Sequence, residues 1–178
     1  KLTSAQSTLC INDTSVVKFE RSKFLIKAFG SSCKESFKIS EPKKISDKNE
    51  ETIKAHHDAY IDKFGFLHKR ELIFDKNRIG FNGQDYILRK KYEKKIKYSI
   101  YFHLRPGLDA VKTISGDSIL IKANKNKSLI FLAKESDLSL EKSIFLGGNK
   151  IINNLCIRIY GELEKDEKII KWEIRDNI

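Results

Sequence analysis

Hydrophobic and polar residues alternate along much of this chain. Between Lys95 and Arg105 the even positions are Ile96, Tyr98, Ile100, Phe102 and Leu104, and the odd ones are Lys95, Lys97, Ser99, Tyr101, His103 and Arg105. A sustained period of two predicts a β-strand with one buried and one wet face. The same alternation sets Leu155, Ile157 and Ile159 against Cys156, Arg158 and Tyr160. It also sets Ile170, Trp172 and Ile174 against Lys171, Glu173 and Arg175. Short apolar runs at 119–121 and 129–132 fill the intervals, and polar turns at 75–78, 115–117, 124–127 and 164–167 separate them. Strands at this spacing, with no long amphipathic helix between them, predict an all-β fold: an antiparallel β-sandwich with at most a few helical turns. Two facing sheets bury alternate side chains against each other, so Phe19, Phe24, Phe102, Phe131 and Trp172 are expected in the core. Ile96, Tyr98, Ile100, Phe102, Ile157, Ile159 and Trp172 should point inward, and Lys95, Lys97, Arg158 and Lys171 outward. The charged stretch 41–54, with Pro42 near its start, reads as a solvated loop joining two strands.

Length and charge narrow the picture. The 178 residues suit one domain, 1–178. Met is absent even at position 1, which predicts a fragment of a longer protein. No segment has the pattern of a signal peptide, and none approaches the roughly 18 continuous apolar residues of a membrane span. Lys plus Arg is 35 against 24 Asp plus Glu, a net charge of +11. That excess raises the question of a polyanionic partner. Arg, the better residue for bidentate phosphate contacts, supplies only 7 of the 35, and the basic residues are scattered among strands and turns. Nucleic acid is therefore not the expected partner. Cys10, Cys33 and Cys156 are too widely spaced for a disulfide framework or a zinc ribbon. They read as buried small hydrophobes, with one bridge and one free thiol as the alternative.

Phosphate-loop, dinucleotide, HExxH and Gly-Xaa-Ser-Xaa-Gly motifs are all absent. The polar centre of interest is a cluster of three of the four histidines, His56, His57 and His68, beside Asp58, Tyr60, Asp62 and Arg70. Read as a strand, 55–62 puts His57 on one face with Ala55, Ala59 and Ile61, and His56 on the other with Asp58, Tyr60 and Asp62. His57 is then either a satisfied core histidine or, with small neighbours leaving room, a ligand-facing imidazole. His68 and Arg70 share one face of the next strand, which suits either an anionic ligand or a structural hydrogen-bond network. A reversal at 62–65 would bring His57, Tyr60, His68 and Arg70 together on neighbouring strands. His103 and Arg105, just before Pro106-Gly107, are expected at the surface.

Several of these residues stand in motifs. Ala55-His56-His57-Asp58-Ala59-Tyr60, Phe64-Gly65-Phe66-Leu67-His68-Lys69-Arg70 and Gly83-Gln84-Asp85 follow one another. Phe102-His103-Leu104-Arg105-Pro106 and Leu140-Glu141-Lys142-Ser143-Ile144-Phe145-Leu146-Gly147-Gly148 come after them, and Trp172-Glu173-Ile174-Arg175 closes the series. With Ser4-Ala5-Gln6-Ser7-Thr8-Leu9 at the start, this ordered set resembles the C-terminal region of the heparinase II/III-like family over nearly the whole chain.

The resemblance implies a polysaccharide lyase-like protein in which an N-terminal helical toroid is joined to a C-terminal β-sandwich. Such proteins cleave uronate-containing glycans by β-elimination, with most of the catalytic apparatus on the toroid. The expected partners are an acidic polysaccharide and the N-terminal helical domain of the same protein, and the expected location is the periplasm or outside the cell. His57, Tyr60, His68 and Arg70 are the expected substrate-binding residues, with Arg70 pairing a carboxylate. No catalytic residue is assigned within this segment, and as an isolated fragment it should be inactive. Where the family has a His before Ser-Thr this chain has Gln6, which cannot act as a base and is a poor zinc ligand. No metal or other cofactor is therefore expected. Gln6 also motivates the alternative reading, a non-catalytic β-sandwich module for glycan binding or structural support.

Overall fold

The computed structural model describes residues 2–17, 19, 22–30, 37–90, 95–124, 127–147, 150–164 and 166–177. Twelve strands follow in order: β1 (Leu9–Ile11), β2 (Lys43–Ser46), β3 (Glu50–His57), β4 (Phe66–Asp75), β5 (Gly80–Arg89) and β6 (Ile96–His103), then β7 (Asp109–Lys112), β8 (Ser118–Asn124), β9 (Lys127–Leu132), β10 (Asp137–Gly147), β11 (Lys150–Leu163) and β12 (Glu167–Asp176). Among the described residues there are also two short α-helices, α1 (Lys23–Phe29) and α2 (Ile61–Phe64), and one 3-10 turn at Thr3–Ala5. All pairings are antiparallel. One sheet has the order β1-β6-β11-β10, and the other β2-β3-β4-β5-β12-β9-β8-β7. Among the described residues no helix is long and apolar enough to cross a membrane.

The expected sandwich is present, and its register follows the alternation. Ile96, Tyr98, Ile100, Ile157, Ile159 and Trp172 are buried between the sheets, and Phe102 packs against them. Lys95, Lys97 and Lys171 are exposed, while Arg158 is half-buried. Trp172 lies at the centre, with ring centroids 4.6 Å from Phe102, 5.7 Å from Phe81 and 5.9 Å from Phe131. Gly83 faces Trp172 across the β5–β12 pair, and a Cβ on Gly83 would lie 2.1 Å from the indole. Gly83→Ala should therefore push Trp172 into its phenylalanine neighbours and cost about 1–3 kcal/mol, read as a lower urea midpoint.

Four expectations need correction. Residues 41–54 are not a loop: they carry β2 and the start of β3, a hairpin at the sheet edge. Its side chains are charged on both faces because the ribbon overhangs the core. The turn is closed by Asp47 Oδ1, which accepts from the N–H groups of Asn49 and Glu50, both at 2.8 Å. Phe24 is 77% exposed on α1, a helix with no buried residue, so it is not core. The strand read over 55–62 ends at His57, and Tyr60 precedes α2. His103 is not a surface residue but half-buried and hydrogen-bonded through its ring. Cys10 and Cys156 are buried free thiols, and burial pushes both up to about 11, far from a reactive thiolate. Cys33 lies outside the described residues.

Candidate functional site

Local chain geometry assembles the polar cluster. After His57 the chain leaves β3 and turns through α2, which ends on Gly65 in the left-handed region at φ 76°, a conformation that favours glycine. It re-enters the sheet as β4. The register then sets His57 opposite His68, and Arg70 opposite Asp85. In each pair both side chains point between the sheets.

Asp85 is the hub. Its carboxylate is fully buried and accepts four hydrogen bonds. His68 Nε2 lies 2.6 Å and Arg70 Nε 2.7 Å from Oδ1, while Arg70 Nη2 donates to Oδ2 at 3.1 Å and Trp172 Nε1 at 2.8 Å. Burial alone would raise this carboxyl. The His68 hydrogen bond and the Arg70 charge outweigh it and hold the group at about 2. Because the carboxylate only accepts, His68 Nε2 donates, which leaves Nδ1 facing His57 Nε2 at 3.0 Å. A single proton lies between those two rings, and His57 Nδ1 is buried without a partner. Burial lowers His57 to about 4, and the nearby Arg70 charge adds to it.

The remaining groups join this hub to the opposite sheet. Arg70 Nη1 donates to the Ser7 carbonyl at 2.7 Å, and the guanidinium lies 5.5 Å from the Phe102 ring centroid. Tyr60 is fully enclosed. Its hydroxyl donates to Leu9 O at 2.9 Å and accepts from Ile11 N–H, closing the free edge of β1. Burial raises the Tyr60 phenol well above its ordinary value, so it is not poised as a base. His103 Nε2 donates to Ser4 O at 2.9 Å, Nδ1 lies 3.2 Å from Ser143 Oγ, and the His103 N–H reaches Ser7 Oγ at 3.0 Å. The segment around Gln6 is thus clamped between Arg70 on one sheet and His103 on the other, with Gln6 itself exposed.

His57, Tyr60, His68 and Arg70 therefore do lie together, although the parity argument had put His57 and Tyr60 on opposite faces. Their ring centroids are 5.8 Å apart because the turn at 58–60 swings Tyr60 back under the sheet. Sequence reasoning assigned no role to Asp85, Trp172 Nε1 or Ser7. One signal pointed to Asp85: it shares parity with Gly83 and the buried Ile87, so it is a carboxylate in an inward position that requires donors.

The chain matches the family model described as "Heparinase II/III-like, C-terminal" over residues 1–173. It belongs to that family. Among solved structures, heparan sulfate lyase HepC from Pedobacter heparinus superposes with a TM-score of 0.73 at 12% identity, over 98% of this chain and 24% of that one. A heparinase III superposes with a TM-score of 0.65 at 13% identity, over 96% of this chain and 23% of that one. These likenesses show a shared fold, and the heparinase-like chain spans about a quarter of the length of the structures it matches. No curated protein matches it in sequence. Among the described residues no group of three or more His, Cys, Asp or Glu is arranged to hold a metal ion. Gln6 is exposed, and both ring nitrogens of His103 are already paired, so the donors around the Gln6 segment do not fit zinc.

Proposed function

We propose that this chain is the C-terminal β-sandwich of a longer heparinase II/III-like lyase that cleaves uronate-containing glycans by β-elimination. The observation that carries the reading is the family match over residues 1–173, and the likeness in fold to a heparan sulfate lyase supports it. In that reaction a base removes the weakly acidic C5 proton, a C4–C5 double bond forms, and the C4–O bond breaks as an acid or water gives a proton to the departing oxygen, which leaves as the hydroxyl of the released sugar. Removing the proton becomes feasible once the adjacent carboxylate is neutralised. In this proposal the base belongs to the part of the protein outside this chain, so the isolated sandwich is inactive.

Within the cluster of His57, Tyr60, His68 and Arg70, the substrate-facing role falls to Arg70, because Tyr60 and His68 are enclosed and cannot meet a glycan. Arg70 is its contact point: its side chain is 21% exposed, and three of its five N–H groups are hydrogen-bonded within the sandwich. The other two face an acidic group on the glycan. The others act behind it: His57 and His68 are hydrogen-bonded in line to the Asp85 carboxylate that holds Arg70, and Tyr60 holds β1 next to the Gln6 segment. The positive charge of the chain favours an acidic polysaccharide, and such a substrate implies a periplasmic or extracellular setting.

Arg70→Lys in the full-length protein is expected to raise KM for uronate glycan about tenfold, because Lys keeps the charge but loses the fork. The same change loosens the buried Asp85 pair and should lower the melting temperature, so the supporting result is a raised KM in steady-state kinetics run well below that temperature, where the variant is folded. An unchanged KM would favour the second reading, a non-catalytic module that binds glycan elsewhere or only supports its neighbour. Gln6 and the largely engaged donors of Arg70 favour that alternative.

A further inference from the structure

The β10–β11 hairpin runs past the edge of its sheet. β6 pairs with β11 only from Cys156 to Leu163, whereas β10 and β11 remain paired out to Gly147 and Lys150. Beyond Ser143 and Asn154 the hairpin is a two-stranded ribbon. β10 is the last strand of its sheet. The end of β10 next to the sandwich is covered by Lys112 Nζ, which donates to Leu138 O at 2.6 Å. Further out, no strand lies beside it among the described residues.

This ribbon is apolar on both faces. Phe145 stands opposite Ile152, and Leu146 opposite Ile151. Successive residues of a strand point to opposite faces, so these two pairs lie on opposite sides. Ile144, Phe145, Leu146, Ile151 and Ile152 are 56%, 43%, 70%, 74% and 40% exposed. A free two-stranded ribbon is marginal in water, and large exposed apolar surface marks a contact. Native edges are otherwise protected by charge or by cover.

We propose that this ribbon, residues 143–147 paired with 150–154, is a docking arm that inserts into the part of the polypeptide N-terminal to this region. The inference rests on the reading of the chain as the C-terminal part of a longer protein. Two observations select that occupant over a second copy of the chain. The matched family is described as a C-terminal region, and its structural neighbours are about four times as long as the matched segment. Edge-to-edge pairing of two copies would also satisfy the backbone of β10 yet leave both apolar faces of the ribbon in water. Insertion into a groove covers both faces.

The test is thiol labelling of the full-length protein with a water-soluble maleimide, measured above the wild-type background. Ile151→Cys probes the arm, and Ile114→Cys, at a fully exposed turn, is the control. Labelling at 151 is expected to be at least about tenfold slower than at 114, and to reach the control rate once the protein is denatured. Adding Ile144→Asp and Leu146→Asp should raise the 151 rate towards that of 114 by placing charge in the contact. Equal rates in the native single variants would overturn the proposal. So would protection that vanishes on dilution together with a doubled mass in light scattering, which would assign the arm to a second copy. Labelling does not require turnover: a full-length protein without lyase activity but with a protected arm refutes the catalytic reading and leaves the docking arm standing.

Discussion

Replacing Asp85 by Ala is expected to destabilise the fold by about 3–5 kcal/mol, the largest effect of any single substitution in the polar cluster. The carboxylate itself is not the main cause. Its removal leaves three side chains without their acceptor: the His68 imidazole, the Arg70 guanidinium and the Trp172 indole N–H. His68 and Trp172 are 3% and 4% exposed, so water cannot replace the lost bonds without opening the sandwich. Asp85→Asn is the sharper variant because it keeps the shape. Its amide nitrogen must point either at His68 and Arg70 Nε or at Arg70 Nη2 and Trp172, and all of these donate. It should therefore remain strongly destabilising. Urea unfolding of both variants provides the measurement, and an Asn variant within about 0.5 kcal/mol of wild type would remove Asp85 from the centre of the account.

Acid should weaken the protein by about 3 kcal/mol at His57 alone. The group sits at about 4 in the fold against 6.5 in the unfolded chain. As pH falls below 6.5 the unfolded chain takes up a proton that the folded chain refuses until about 4. Stability is full above that window, declines through it and levels off beneath it, and the gap between the two values sets the size. Structurally, a proton added to His57 would leave one buried N–H without an acceptor, because Nδ1 has no partner. Asp85 adds a second loss at lower pH. Its carboxylate is held at about 2 against an ordinary 3.8, so that contribution is lost as pH falls through the interval between them. Urea midpoints followed across both windows should show the decline, and His57→Gln should flatten the upper one. A wild-type midpoint that does not change from 6.5 to 4 would contradict the half-buried His57 with its unpartnered Nδ1.

The sandwich was legible because β6, β11 and β12 each have one face in the core, and such strands carry their register in their side-chain parity. Parity failed where the chain left the sheet. Tyr60 belongs to a turn, and its position under β3 depends on Gly65 and α2 rather than on alternation. The charged hairpin at 43–57 was missed for a related reason: an overhanging edge ribbon needs no apolar face, so it resembles a loop in composition. Of the polar cluster, the four residues were legible but their organiser was not. Nothing in the local sequence of Asp85 says that Arg70, His68 and Trp172, on two other strands, converge on it. That follows only from the registers of β4 and β12 on β5.

The most direct measurement is an unsaturated-product assay of the full-length protein across a panel of uronate-containing and uronate-free glycans, followed by ultraviolet absorbance. The account predicts formation of the conjugated double bond from at least one uronate glycan and none from glycans lacking uronate. Loss of uronate glycan through a saturated, hydrolytic product, or no cleavage of any member by a folded full-length protein, would contradict it.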